Sequence, residues 1–192
     1  KGIVLDTPRA VGMAILDHSK VLMLRFHYDA MKTTFPDARL LYTDTDSLIY
    51  QVFGARSELE VMARVTAVAG DQWDYSNLRK IGVECPQNGN DGAAGKFKLD
   101  QADKKGKVIK RILKYAGSEA KCYALMYGNA EYLRCKGIPK RAAKKQITFE
   151  DVEKAALDYT VKKTAFRAIR MQHTEAQHVL VEKVALRGAN DK

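Results

Sequence analysis

An α+β fold is predicted for these 192 residues, with a long helix packed on an antiparallel sheet and a smaller region of helix and strands after about residue 146. Apolar residues at helical spacing between Pro8 and Pro36 give the helix. Short runs of β-branched and aromatic residues, set apart by Gly, Asn and Asp, give the sheet. A 46% hydrophobic composition with only four prolines describes a chain that buries a substantial core.

Pro8 suits a first helical turn, and Val11, Ile15, Leu22, Phe26 and Ala30 recur on one face until Pro36 forbids continuation. His18 and His27 lie nine residues apart on this helix. That spacing does not pair ligands on one face, so both are read as structural or solvent-facing. A strand over 39–43, an acidic turn and a strand over 47–53, closed by Gly54, make a short hairpin. Ser57 and Glu60 open a capped helix over 57–69. The polar stretch 70–95, loosest at Asn88-Gly89-Asn90-Asp91-Gly92, is read as an exposed loop. Gly95-Lys96-Phe97-Lys98-Leu99 alternates lysine with apolar residues. Strands are expected over 108–115 and 121–127, separated by Gly117-Ser118-Glu119. Thr148-Phe149-Glu150-Asp151 opens a helix to about Tyr159, and strands over 164–172 and 178–186 follow. No internal repeat or low-complexity tract is present.

The net charge of +10 is concentrated in one segment, because residues 96–145 carry 15 Lys and Arg against 4 Asp and Glu. Such density suits a polyanion whose phosphates it neutralises, or forms a solvated lysine-rich face. No run of about 18 apolar residues is present and no signal-peptide layout opens the chain, so neither a membrane span nor secretion is indicated. Lys1 at the start gives the expectation of an excised piece. Cys85, Cys122 and Cys135 have no CxxC or His-paired spacing and are read as reduced thiols in an intracellular compartment.

The most informative run is Tyr42-Thr43-Asp44-Thr45-Asp46-Ser47, flanked by Leu40, Leu41, Leu48, Ile49 and Tyr50. Two carboxylates in an apolar run are costly unless a cation or dense hydrogen bonding compensates them. In an extended strand residues two apart share a side, so Asp44 and Asp46 are expected to converge. Oxygen-only ligation points to Mg2+ or Mn2+ rather than zinc.

The order of these features resembles family B DNA polymerases, especially the protein-primed group of viruses, linear plasmids and Polinton-type transposons. Tyr42 to Ser47 is similar to that family's motif C. Residues 11–16, Ser19-Lys20 and Phe26 to Asp29 resemble the helix leading into it. Gly95 to Lys98 and Lys121-Cys122-Tyr123 resemble downstream landmarks, the latter being the Lys-x-Tyr motif. Lys136-Gly137-Ile138, residues 147–151, Lys183 to Leu186 and Asn190 to Lys192 resemble the thumb-proximal end.

The resemblance implies a partial palm over 1–145 and a thumb-like region over 146–192. It implies DNA-directed DNA polymerase activity, a nucleotidyl transfer to a primer 3′-hydroxyl during replication, with two metal ions about 4 Å apart in the complete enzyme. Asp46 becomes the principal motif C metal ligand and catalytic residue, with Asp44 sharing or tuning the metal. Lys121 and Tyr123 hold the primer strand, Tyr42 touches its minor-groove side, and Lys96 and Lys98 are phosphate contacts or surface. The implied partners are primer-template DNA, deoxynucleoside triphosphates and a terminal protein primer, in a nucleus or viral replication site, with no membrane. Motif A, motif B and an exonuclease domain are not in these residues, and Gly188-Ala189 stands where the family more usually has a Ser-Pro-like continuation. The isolated piece is therefore expected to be inactive alone. The alternatives are a catalytically dead DNA-binding remnant of such a polymerase, and a DxD glycosyltransferase holding a nucleotide-sugar diphosphate through Mn2+.

Overall fold

From Pro8, whose missing N–H costs nothing at a helix start, the chain enters α1 (Arg9–Arg25) and continues into a π-helical segment, Phe26–Lys32. The computed structural model describes residues 8–100, 111–128, 130–172 and 175–188. Among the described residues helix and strand are nearly balanced, at 35% and 32%, consistent with a general α+β fold. Contacts divide the chain into two compact units, Lys1–Ile109 and Lys110–Lys192. Among the described residues no helix is long and apolar enough to cross a membrane.

In the first unit the core begins only at the end of the long helix. Bonding from residue i to i+5 places Phe26 and Met31 on one face of the π-helical segment, and both are buried with Ala30. The expected apolar stripe is not buried along its length: Val11 and Ile15 are 57% and 63% exposed. Residues 10–16 are almost wholly apolar, so no single face is distinguished there. The hairpin follows as β1 (Arg39–Asp44) and β2 (Ser47–Gln51), and α2 spans Glu58–Ala69. Ser57 caps α2 by accepting the Glu60 N–H at 3.2 Å, while Glu60 reaches back to the Arg56 N–H at 2.8 Å. Phe26 stacks on Phe97 at 3.9 Å and meets the edge of Trp73 at 5.4 Å. Trp73 also donates its Nε1–H to the Met62 carbonyl at 3.0 Å, which satisfies its one polar atom inside the core.

Residues 70–95 are only in part the exposed loop expected: 81–95 hold no helix or strand and 91–95 are exposed, whereas the first half is structured. They contain β3 (Trp73–Asp74) and α3 (Ser76–Lys80), and bury Trp73, Asp74, Tyr75 and Leu78. β3 pairs in parallel with β4 (Phe97–Lys98), which the expected antiparallel sheet did not include, and the described strands form four small sheets. Polarity misled here because the polar side chains face inward and bond backbone. Asn88 and Asn90 both donate to Asp71 Oδ2, at 2.7 and 3.0 Å, and to the Trp73 carbonyl, at 2.9 and 3.2 Å. Asp74, 3% exposed, pairs with Lys98 Nζ at 2.8 Å and accepts the N–H groups of Ser76 at 2.8 Å and Gly92 at 3.0 Å.

The second unit holds a three-stranded antiparallel sheet of β5 (Lys114–Glu119), β6 (Cys122–Tyr127) and β7 (Ala130–Arg134). One face packs on α5 (Phe149–Leu157) around Ala116, Cys122, Ala124, Phe149, Val152 and Ala155. The strand expected over 108–115 starts later, at Lys114, and its residues 108–110 lie outside the described ones. Gly117 to Glu119 belongs to β5, and the reversal falls at Ala120-Lys121. α4 (Lys140–Gln146) was not anticipated; α5 was, and carries a full capping box between Thr148 and Asp151. Asp151 also holds Lys162 Nζ at 2.5 Å, tying the α5 start to a ribbon of β8 (Lys162–Gln172) and β9 (Glu175–Leu186).

Burial alone would raise the Asp74 pKa, but the bonds from Lys98, Ser76 and Gly92 outweigh it and hold the carboxyl well below the usual carboxylate range. Its stabilisation is therefore complete above the unfolded-state pKa of about 3.9 and is lost as pH falls through the lowered folded value. Asp74→Asn is expected to lower stability by about 2–4 kcal/mol at pH 7, and the gap between variant and wild type should narrow in acid. Urea unfolding at neutral and acid pH checks both.

Candidate functional site

Asp44 is the last residue of β1, and its pairing with Ser47 leaves Thr45 and Asp46 as a two-residue reversal. The Asp46 N–H donates to the Asp44 carbonyl at 2.6 Å around Thr45, whose φ is +53°. This is the geometry of a tight γ-turn, and positive φ is costly for a β-branched residue. Two hydroxyls brace it: Ser47 Oγ donates to the Asp44 carbonyl at 3.2 Å, and Thr45 Oγ1 to Asp44 Oδ1 at 3.3 Å.

This placement corrects two expectations. Asp44 and Asp46 are not alternate residues of one strand, so the same-side rule does not govern them; the turn brings them to one tip instead. Nor are both carboxylates desolvated, since Asp44 is half-buried and Asp46 exposed. Of the apolar flanks, Leu48 and Tyr50, with Val52 beyond them, pack on the first unit's core, while Leu40 is 37% exposed. His27 Nδ1 and the Tyr50 hydroxyl are hydrogen-bonded at 2.9 Å, which ties β2 to the π-helical segment. Burial pushes the Tyr50 phenol above its ordinary pKa, so it remains a neutral partner. Tyr42 stands on β1 opposite Ile49.

Lys96 and Lys98 are engaged within the first unit. Lys96 Nζ donates to the Asp71 carbonyl at 2.6 Å, and Lys98 pairs with Asp74. Lys121 and Tyr123 are in the second unit. Lys121 occupies the β5–β6 reversal at φ +63°, not the strand expected for it, and Tyr123 is on β6 opposite Gly117. Cys122 between them is buried, and its thiol donates to the Ala185 carbonyl at 3.9 Å. The neighbouring Cys135 thiol pulls the Cys122 pKa down against burial, while Cys122 and burial push Cys135 up.

Comparison of the chain with family profiles, curated proteins and solved structures returns no match. The chemistry of the tip therefore rests on its own geometry. Among the described residues no three His, Cys, Asp or Glu side chains cluster as a metal site. Two carboxylates at one hairpin tip still fit Mg2+, which commonly takes only one or two protein carboxylates and completes its shell with water and phosphate oxygens.

Sequence reasoning missed one arrangement in the second unit. Tyr115, Tyr123 and Tyr132 form a row across the sheet, one from each strand, with ring centroids 6.3 and 6.4 Å apart. The Gly128-Asn129 dipeptide before β7 is a hairpin signal that would have revealed the third strand and aligned its tyrosine.

Three non-glycine residues among those described have positive φ, and two of them, Thr45 and Lys121, sit at hairpin reversals of the expected site. Asn tolerates this backbone better than Thr, and Gly better than Lys. Thr45→Asn and Lys121→Gly are each expected to raise stability by roughly 0.5–1 kcal/mol. A lowered urea midpoint in both would show that their left-handed backbones carry no strain.

Proposed function

We propose that this chain is part of the palm and thumb of a family B DNA polymerase, contributing motif C and the Lys-x-Tyr segment to template-directed nucleotidyl transfer. The observation that carries the reading is the Tyr-Thr-Asp-Thr-Asp-Ser run folded as a hairpin with both acids at its tip. Asp46, exposed in the reversal, presents its carboxylate outward for Mg2+ or Mn2+. Asp44, braced by Thr45, adds negative potential beside it and shares the ion. When bound there, the metal lowers the pKa of the primer hydroxyl and neutralises charge on the departing pyrophosphate. Lys121 and Tyr123 hold the primer backbone, contacts that position the strand without reading sequence. The substrates are primer-template DNA and deoxynucleoside triphosphates, with a terminal protein as the priming partner in a reduced intracellular compartment.

A second reading, a DNA-binding remnant without activity, is favoured by one observation: no third acid joins the pair among the described residues. Primer extension by the full parent polypeptide separates the two. Mg2+-dependent extension is expected, with Asp46→Asn lowering the rate about a thousandfold or more. Absence of extension in the wild type, or full extension by Asp46→Asn, contradicts the polymerase reading.

A further inference from the structure

The outer face of the β5–β7 sheet carries the tyrosine row, while the opposite face is spent on the core. Strand alternation explains the division. Ala116, Cys122, Ala124 and Leu133 point into the core with α5, so Tyr115, Tyr123, Leu125, Tyr132 and Arg134 share the other side. The sheet is shaped to let the rings lie along it: a Cβ added at Gly117 would fall 2.3 Å from the Tyr115 hydroxyl, so the Tyr115 ring lies across that glycine. Neighbouring ring planes are inclined by only 22° and 34°, which makes the three a tilted band instead of an edge-on cluster.

Charge around the band has one dominant sign. The Arg134 guanidinium sits 4.9 Å from the Tyr132 ring centroid, and Lys121 stands at the β5–β6 turn. The acid on β7, Glu131, is occupied elsewhere, its Oε2 accepting the Phe149 N–H at 3.2 Å. Packing accounts for part of this composition, because Leu125 lies on the same face opposite Tyr115 and Tyr132 and is only 4% exposed. Tyr132 remains 37% exposed, and a solvent-facing sheet surface is ordinarily served by smaller polar residues. Aromatic rings in a row beside cations are what a single nucleic-acid strand requires: π faces for successive bases and positive charge for the backbone between them.

We propose that Tyr115, Tyr123 and Tyr132 form a stacking surface for the unpaired bases of a single nucleic-acid strand, with Arg134 and Lys121 holding its phosphates. The inference rests on the nucleic-acid reading of this unit, adds Tyr115, Tyr132 and Arg134 to it, and moves Tyr123 from the backbone of a paired primer to an unpaired base. It is independent of the metal-binding hairpin. Duplex DNA is a poorer occupant, because its bases are stacked on one another and their π faces are covered.

The test is fluorescence anisotropy of the 192-residue chain with a labelled oligothymidylate of about 15 nucleotides, alongside an oligouridylate and a blunt duplex of equal length. The single strands are expected to bind more tightly than the duplex. Tyr132→Ala should weaken single-strand binding about tenfold, Tyr132→Phe should leave it unchanged, and Arg134→Gln should flatten its salt dependence. A wild-type measurement guards against a variant that fails to fold: photocrosslinking to a strand carrying iododeoxyuridine should label peptides containing these tyrosines. Equal affinity for duplex, indifference to Tyr132→Ala, loss in Tyr132→Phe equal to that in Tyr132→Ala, or crosslinks confined to other segments would each overturn the proposal. Because the readout is binding, it can fail while primer extension succeeds, or succeed while extension fails. A stronger signal with oligouridylate than with oligothymidylate assigns the strand as RNA.

Discussion

A chain that reverses within two residues must bend sharply, and at Thr45 it does so with positive φ. On that constraint the acidic tip depends. Because Thr45 turns left-handed, the Asp46 N–H reaches back to the Asp44 carbonyl and the two acids stand at one end of the hairpin instead of along one edge of it. Lys121 adopts the same kind of backbone at a second reversal. Eight glycines take up positive φ elsewhere among the described residues, so the chain uses the unstrained solution freely where no side chain is needed. At these two turns it keeps an alcohol and an ammonium, as it keeps a phenol at Tyr159, each at a backbone cost that glycine would relieve.

A strained tip needs a firm base. Leu48, Tyr50 and Val52 anchor β2 to the core formed by Phe26, Trp73 and Phe97, and the His27–Tyr50 hydrogen bond ties the hairpin to the π-helical segment. The buried Asp74, held by Lys98 and two backbone N–H groups, pins the segment that delivers Trp73 to that core. Polar groups thus position the core in the first unit. In the second unit the capping box and its Lys162 contact do comparable work, setting where α5 begins and where the β8–β9 ribbon starts.

Local signals in the sequence were legible where the chain decides locally. The hairpin at 39–51, the Ser57 and Thr148 caps and the two long terminal strands follow from alternation and capping residues, whose effects extend over a few positions. Reading failed where a side chain's partner is distant. Nothing in Asn88 or Asn90 reveals that each will bond Asp71 and the Trp73 carbonyl, so a structured segment read as loose. The apolar run in α1 gave a helix but not its exposure, since amphipathicity cannot be judged where every face is apolar. At the tip, the presence of two acids was legible while their geometry was not: period-two alternation applies to strands, and Asp46 lies in a turn.

The claim on which the account turns is that Asp44 and Asp46 together present a divalent cation site at the hairpin tip. Amide NMR of the isotopically labelled chain during a Mn2+ titration tests it directly, because paramagnetic broadening falls off steeply with distance from the ion. Broadening confined to Asp44–Ser47 and their immediate neighbours, and abolished in Asp46→Asn, is the predicted result. Broadening centred on other acids such as Asp71 or Asp91, or an unperturbed tip at saturating Mn2+, would contradict it.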